Sequence, residues 1–167
     1  MKPSRIREPE IDRLGRETFI NLFLASGRYT DQVEATCKAE GLTMSHYTVL
    51  WVVCLSVGQA VPMRTVADGF LTRAADATRL VDKLARDGFI ARSNSLEDRR
   101  VVLVRATRSG HALFKKLTTS IKALHRSQWS KLSVGELREL RRLLVKSLWG
   151  ESSAKGRHPL EALRPGV

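Results

Sequence analysis

Apolar side chains recur every three or four positions along most of this chain, and the stretch where that rhythm gives way to alternation marks its centre. Over residues 10–39, Ile11, Leu14, Thr18, Leu22, Ala25, Tyr29 and Val33 keep the helical spacing, which predicts one long amphipathic helix. Gly27 costs that helix about 1 kcal/mol relative to alanine, a cost a long packed helix absorbs. Gly41-Leu-Thr-Met-Ser45 interrupts the pattern, and Thr43 or Ser45 can cap the next helix. This second helix, over about 45–57, is expected to bury Tyr47, Leu50, Trp51 and Cys54. Val49, Val52 and Val53 lower its intrinsic propensity. Residues 57–62 read as a loop, with Pro62 opening a short helix over 63–70, where its missing N–H costs nothing.

The most informative pattern lies in residues 72–108. Ala77, Leu80, Val81 and Leu84 fall on one helical face, and Asp76, Arg79, Lys83 and Arg86 fall on the other. Asp87-Gly88 supplies the left-handed stop that helix C-termini favour. Residues 89–94 and 100–106 are strand candidates joined by Ser95-Leu-Glu-Asp-Arg99, and in the second of them Val102, Val104 and Ala106 alternate with Val101, Leu103 and Arg105. Thr107-Arg-Ser-Gly110 ends the hairpin. A helix over 108–131 then carries Leu113, Leu117, Ile121, Leu124 and Gln128 on one stripe. Ser133-Val-Gly-Glu136 is a capping box for a last helix bearing Leu137, Leu140, Leu144 and Leu148.

A charged helix beside a hairpin with a basic tip can hold a polyanion in two grooves at once, the arrangement of a winged helix-turn-helix. The expected fold is therefore mostly α with a small β-wing. It divides into a flexible tail over 1–9, an N-terminal dimerisation helix over 10–42, a DNA-binding lobe over 43–107, C-terminal dimerisation helices over 108–149 and a flexible tail over 150–167. The terminal helices carry more apolar stripe than one short domain needs, so a homodimer is expected, with its recognition helices roughly 34 Å apart.

Charge sharpens this picture. The 167 residues carry a net charge of +12, which favours acidic partners. Residues 1–63 are balanced at seven basic and seven acidic side chains, whereas 64–110 hold ten against six and 111–149 hold nine against two. The two cysteines, Cys37 and Cys54, are too few for a disulfide framework and form no CxxC pair. The first ten residues lack the apolar core of a secretion signal, and the longest apolar run, 49–55, is far short of a membrane span. A bacterial cytoplasmic protein without a membrane partner is the expectation. His46, His111, His125 and His158 show no metal-ligand spacing, and no phosphate-binding loop or nucleophile motif appears. No enzyme activity and no cofactor is expected.

Residues 66–70 and 77–92, Glu97-Asp98-Arg99-Arg100, Ala106-Thr-Arg-Ser-Gly110 and Leu132-Ser-Val-Gly-Glu136 together resemble the MarR (multiple antibiotic resistance regulator) family of transcription factors. The likeness covers roughly residues 10–149. It departs at Ala75-Asp76, where the family often has Ser-Thr, at Leu71, where a glycine is common, and at Ala106, which replaces a leucine. Operator sequence therefore does not carry over.

The resemblance implies a double-stranded, pseudo-palindromic operator, and the residues suggest how it is met. Arg79 is suited to guanine O6 and N7 or to a phosphate. Arg73 and Thr78 suit phosphates, and Lys83 lies further along the same face. Ala75 lacks a hydroxyl, and Asp76 can accept from cytosine N4 or hold an arginine. Arg99 or Arg100 would enter the minor groove, with Asp98 orienting the arginine. Competing readings make Arg79 an ion-pair partner of Asp76 or Asp82, and the wing a soluble hairpin edge. The resemblance also implies a pocket for a small aromatic or anionic effector, with Arg28, His46 and Trp51 as candidate lining. The function expected is a ligand-released repressor. The alternatives are a protein-docking winged helix without specific DNA binding and a thiol-based redox sensor built on Cys37 or Cys54.

Overall fold

The computed structural model describes residues 9–56, 59–68 and 74–150, with the side chains of Asp68 and of residues 74–76 outside the description. Its elements run α1 (Glu10–Lys38), α2 (Met44–Leu55), β1 (Val61–Pro62), α3 (Met63–Asp68), α4 (Ala74–Arg86), β2 (Ile90–Asn94), β3 (Val102–Ala106), α5 (Arg108–Gln128) and α6 (Val134–Trp149). The fold is mostly helical with a small antiparallel sheet in the order β1-β3-β2, as expected of a winged helix. The tails over 1–8 and 151–167 lie outside the described residues.

Helix α2 is the axle of the lobe. It packs against α1, α3, α4, α5 and β3. Val49, Leu50, Val52 and Val53 are all buried in it, while Tyr47, Trp51 and Cys54 are half-exposed. The expected burial of Tyr47, Trp51 and Cys54 is thus corrected. The three valines, weak helix formers taken singly, are its inward face, and tertiary packing overrides their propensity. Thr43 starts the helix: its Oγ1 accepts from the His46 N–H at 3.4 Å and His46 Nδ1 accepts from the Thr43 N–H at 3.1 Å, a capping box with histidine in the usual Glu or Gln place.

The segment before α3 is a second correction. Val61 and Pro62 do not finish a loop; they pair with Val104 and Leu103 as a two-residue edge strand. Proline is tolerated there because an edge strand has a side on which no N–H is required. Pro62 still directly precedes α3.

The joint between wing and α5 rests on two glycines. Gly88, at φ +77°, turns the chain out of α4. Its carbonyl accepts from Thr107 Oγ1 at 2.7 Å and from Ser109 Oγ at 2.9 Å. Thr107 also caps α5, accepting from the Gly110 N–H at 3.1 Å. A Cβ on Gly110 would stand 2.0 Å from the Phe89 carbonyl oxygen, so the Thr-x-x-Gly pattern is a cap followed by a close backbone approach.

Buried Ala77, Val81 and Leu84 of α4, Ile90 of β2, Val104 of β3, and Leu117 and Ile121 of α5 close the core around α2. The two ends of the chain are different. In α1 only Val33 and Cys37 are buried, and in α6 no residue is.

Candidate nucleic-acid interface

Helix α4 turns its apolar stripe inward, which leaves Thr78, Arg79 and Arg86 exposed. Arg79, Asp82, Ala85, Arg86 and Arg92 line an open groove between α4 and β2. Asp82 pairs with Arg92 across that groove. The competing reading in which Asp82 neutralises Arg79 is thereby corrected: its carboxylate is taken by β2. Arg92 was missed in the sequence because it lies ten residues from Asp82, and only the register that pairs it with buried Val104 turns it toward α4.

Lys83 is engaged elsewhere. Its ammonium lies 2.8 Å from Asp87 Oδ2, and that hydrogen bond holds the Asp87 carboxyl below its ordinary range. Arg73 lies outside the described residues, and Ala75 and Asp76 are placed only as backbone in the first turn of α4.

The wing tip is a shaped turn. Ser95 Oγ accepts from the Glu97 N–H at 3.2 Å, the Ser95 N–H donates to the Val101 carbonyl at 2.9 Å, and Asp98 Oδ1 accepts from the Arg100 N–H at 2.9 Å. Asp98 thus holds the backbone of Arg100, and it is through that N–H that it orients the arginine. Leu96, Arg99 and Arg100 are exposed around this turn. Arginines on the α4 groove and on the wing thus present two separate cationic edges, which can neutralise phosphates and release counterions.

The three expected effector residues are not brought together. Arg28 is exposed at a cleft of about 170 Å³ between α1 and the end of α5, with Tyr29, Gln32, Gln128 and Lys131. Trp51 lines a different cavity of about 320 Å³ between α2 and α5, with Tyr47, Thr48, Thr118, Ile121, Lys122 and His125. His46 is buried at the α2 cap, and burial first, then the Lys83 charge, pushes its pKa below 6.5. It is a neutral structural acceptor. Lys122 and His125 were missed because α2 and α5 lie some seventy residues apart and meet only in the fold, and Tyr47 because its position on the apolar stripe of α2 assigned it to the core.

Both thiols are protonated. Burial, then the nearby Glu34 carboxylate, pushes Cys37 up to about 11, and burial alone pushes Cys54 to about 12. A sensor needs the opposite shift. Among the described residues no group of His, Cys, Asp and Glu side chains could hold a metal, and no helix is long and apolar enough to cross a membrane.

Comparison with known proteins agrees with this fold. The MarR family model matches residues 42–102. The HTH-type transcriptional repressor IacR of Pseudomonas putida is 25% identical over 139 residues, covering 82% of each chain. CouR from Rhodococcus jostii RHA1, solved bound to p-coumaroyl-CoA, superposes with a TM-score of 0.71 at 24% identity, over 81% of this chain and 94% of that one. A cysteine-to-serine mutant of MarR from E.coli, complexed with operator DNA, superposes with a TM-score of 0.69 at 19% identity, over 84% of this chain and 99% of that one.

Proposed function

The chain belongs to the MarR family through its central lobe, residues 42–102, and from that premise we propose that it is a homodimeric repressor released from its operator by a small aromatic acid. DNA-binding transcriptional regulation is the common ground of its relatives; the finer statements are ours. The observation that carries the reading is the pair of exposed cationic edges, Arg79 and Arg86 on the α4 groove and Arg99 with Arg100 on the wing. With α4 in the major groove, Arg79 meets guanine or phosphate, Thr78 and Arg73 meet phosphates, and the wing arginines enter the adjacent minor groove.

The effector reading rests on the α2–α5 cavity. Tyr47 and Trp51 give it aromatic walls, and Lys122 with His125 offers cationic or donor groups to a carboxylate. The Tyr47 hydroxyl lies 3.2 Å from Thr118 Oγ1, and burial keeps that phenol protonated. A ligand wedged there changes the angle between α2, which anchors the lobe, and α5, which leads to the dimer helices. Release requires that the ligand bind the splayed state more tightly than the operator-fitting one.

The test is retention of fragments of the host genome, with binding then measured at graded salt and graded aromatic acid. A retained duplex with a steep salt dependence, weakened by an aromatic acid in the native chain but not in Trp51→Ala, supports the reading. Absence of any duplex affinity at low salt overturns it in favour of a protein-docking module.

A further inference from the structure

Among the described residues, exposed large apolar side chains fall almost entirely on two helices. Ile11, Leu14, Phe19, Ile20, Leu22, Phe23 and Leu24 belong to α1, and Leu132, Val134, Leu143, Leu148 and Trp149 belong to α6 and its cap. Among the described residues the remaining one is Leu96, and it is the most exposed of all at 102%. A second copy pairing through α1 and α6 does not need it. It stands at the wing tip, three residues before Arg99, in a turn whose other members are Ser95, Glu97, Asp98 and the two arginines.

Nor is that tip a loose loop. Ser95 Oγ, the Asp98 carboxylate and the Val101 carbonyl each hold a backbone N–H of the turn. The backbone that carries Leu96 is therefore held in a defined turn, and Arg99 and Arg100 follow in that same turn. A lone exposed leucine on a protein surface usually needs no account. One at the apex of a hydrogen-bonded hairpin that also bears two arginines does, because a phosphate-lined groove with apolar sugar walls offers a partner to both kinds of side chain.

We propose that Leu96 is an apolar wedge: when the wing docks, its side chain enters the minor groove ahead of Arg99 and Arg100 and packs against the deoxyribose walls. The proposal rests on the DNA-binding reading above. Minor-groove proteins also use leucine as a wedge, inserting it between base steps that unstack easily. Arginine supplies attraction along the phosphates, and the leucine supplies a contact that exists only when the groove has the right width. Leu96 thus adds discrimination by DNA shape, favouring a flexible pyrimidine–purine step under the wing.

Salt dependence separates this contact from the arginines. An apolar contact displaces no counterions, whereas each lost phosphate contact lowers the salt slope by about one. The probe is the duplex selected by the native chain from a random 40-base-pair pool, titrated by fluorescence anisotropy at several salt concentrations. Leu96→Ala is expected to weaken that duplex about tenfold with an unchanged slope and unchanged melting temperature, since the side chain touches nothing in the free protein. Leu96→Met, also long and apolar, is expected to retain most of the affinity. Leu96→Lys is expected to bind with a steeper slope and a smaller preference for the selected duplex over random DNA. If Arg99→Ala weakens binding while Leu96→Ala leaves affinity and preference intact, the wedge is overturned and the operator reading stands. If Arg79→Ala, Arg99→Ala and Leu96→Ala are all silent, the operator reading itself has failed.

Discussion

Arg79 is exposed on α4, where the helical pattern of the sequence expects it. It stands on the solvent face of α4 at the i+2 position from buried Ala77, and one carboxylate that could have neutralised it, Asp82, is held by Arg92. A guanidinium turned to solvent keeps its five donors accessible, as the proposed contact with DNA requires. Arg79→Ala is expected to cost about 1–3 kcal/mol in binding the selected duplex and to relax preference at one base position. Competition against duplexes altered one base pair at a time reads this out, and an unchanged profile rules Arg79 out as a base reader. His46 behaves in the opposite way, its chemistry spent on the fold. Its folded pKa lies below the unfolded 6.5, because burial and Lys83 disfavour the cation. The unfolded chain therefore binds the proton first. Stability is full above about pH 6.5 and falls as pH drops through the depressed folded value. Denaturation midpoints at pH 7.5 and 5.5 are expected to differ in the native chain, and by less in His46→Gln, whose amide oxygen can still accept from the Thr43 N–H.

At the scale of elements, the joint between wing and α5 is the place where one atom decides a packing. Gly110→Ala sets a methyl 2.0 Å from the Phe89 carbonyl, and backbone rather than a flexible side-chain end must yield. Overpacking of this kind costs about 1–3 kcal/mol. The expected result is a fall in melting temperature of about 2–4 °C for each kcal/mol, with the wing displaced and operator affinity reduced. An alanine variant that melts like the native chain means the joint is more compliant than its geometry implies. This joint was visible in the sequence only as a pattern of letters, Thr107-x-x-Gly110. Helix α4, the Asp87-Gly88 stop and the alternating β3 were readable because each is encoded within a single run of residues. Strand β1 was not, since two residues carry no period and Val61 becomes a strand only by meeting Val104. The cavity that holds Trp51 was half legible for the same reason: Tyr47 and Trp51 sit one turn apart on α2, but Lys122 and His125 arrive from α5. Local order is written in sequence; meetings between distant segments come from packing.

At the scale of the whole molecule, the lobe is self-sufficient and the ends are not. The core closes around α2 with no buried side-chain polar atom left unpaired among the described residues. Yet the first fifteen residues of α1 are exposed, with Phe19 and Phe23 stacked at 6.4 Å between ring centroids and open to water. Burying a side chain of that size is worth roughly 1.5–3 kcal/mol, so several of them on α1, together with Leu143 and Leu148 of α6, supply a strong drive to pair two copies. In the proposed dimer a single α4 and wing would cover one half-site, and affinity for a pseudo-palindrome would depend on the second. Replacing Phe19 and Phe23 together by serine touches nothing in the core. The variant is expected to keep its helical content and to sediment as a monomer, and its affinity for the selected duplex should fall by tenfold or more while affinity for an isolated half-site changes little. A variant that stays dimeric with full operator affinity would mean that the apolar face of α1 is covered by something other than a second copy, and that the spacing of the two recognition helices is set elsewhere.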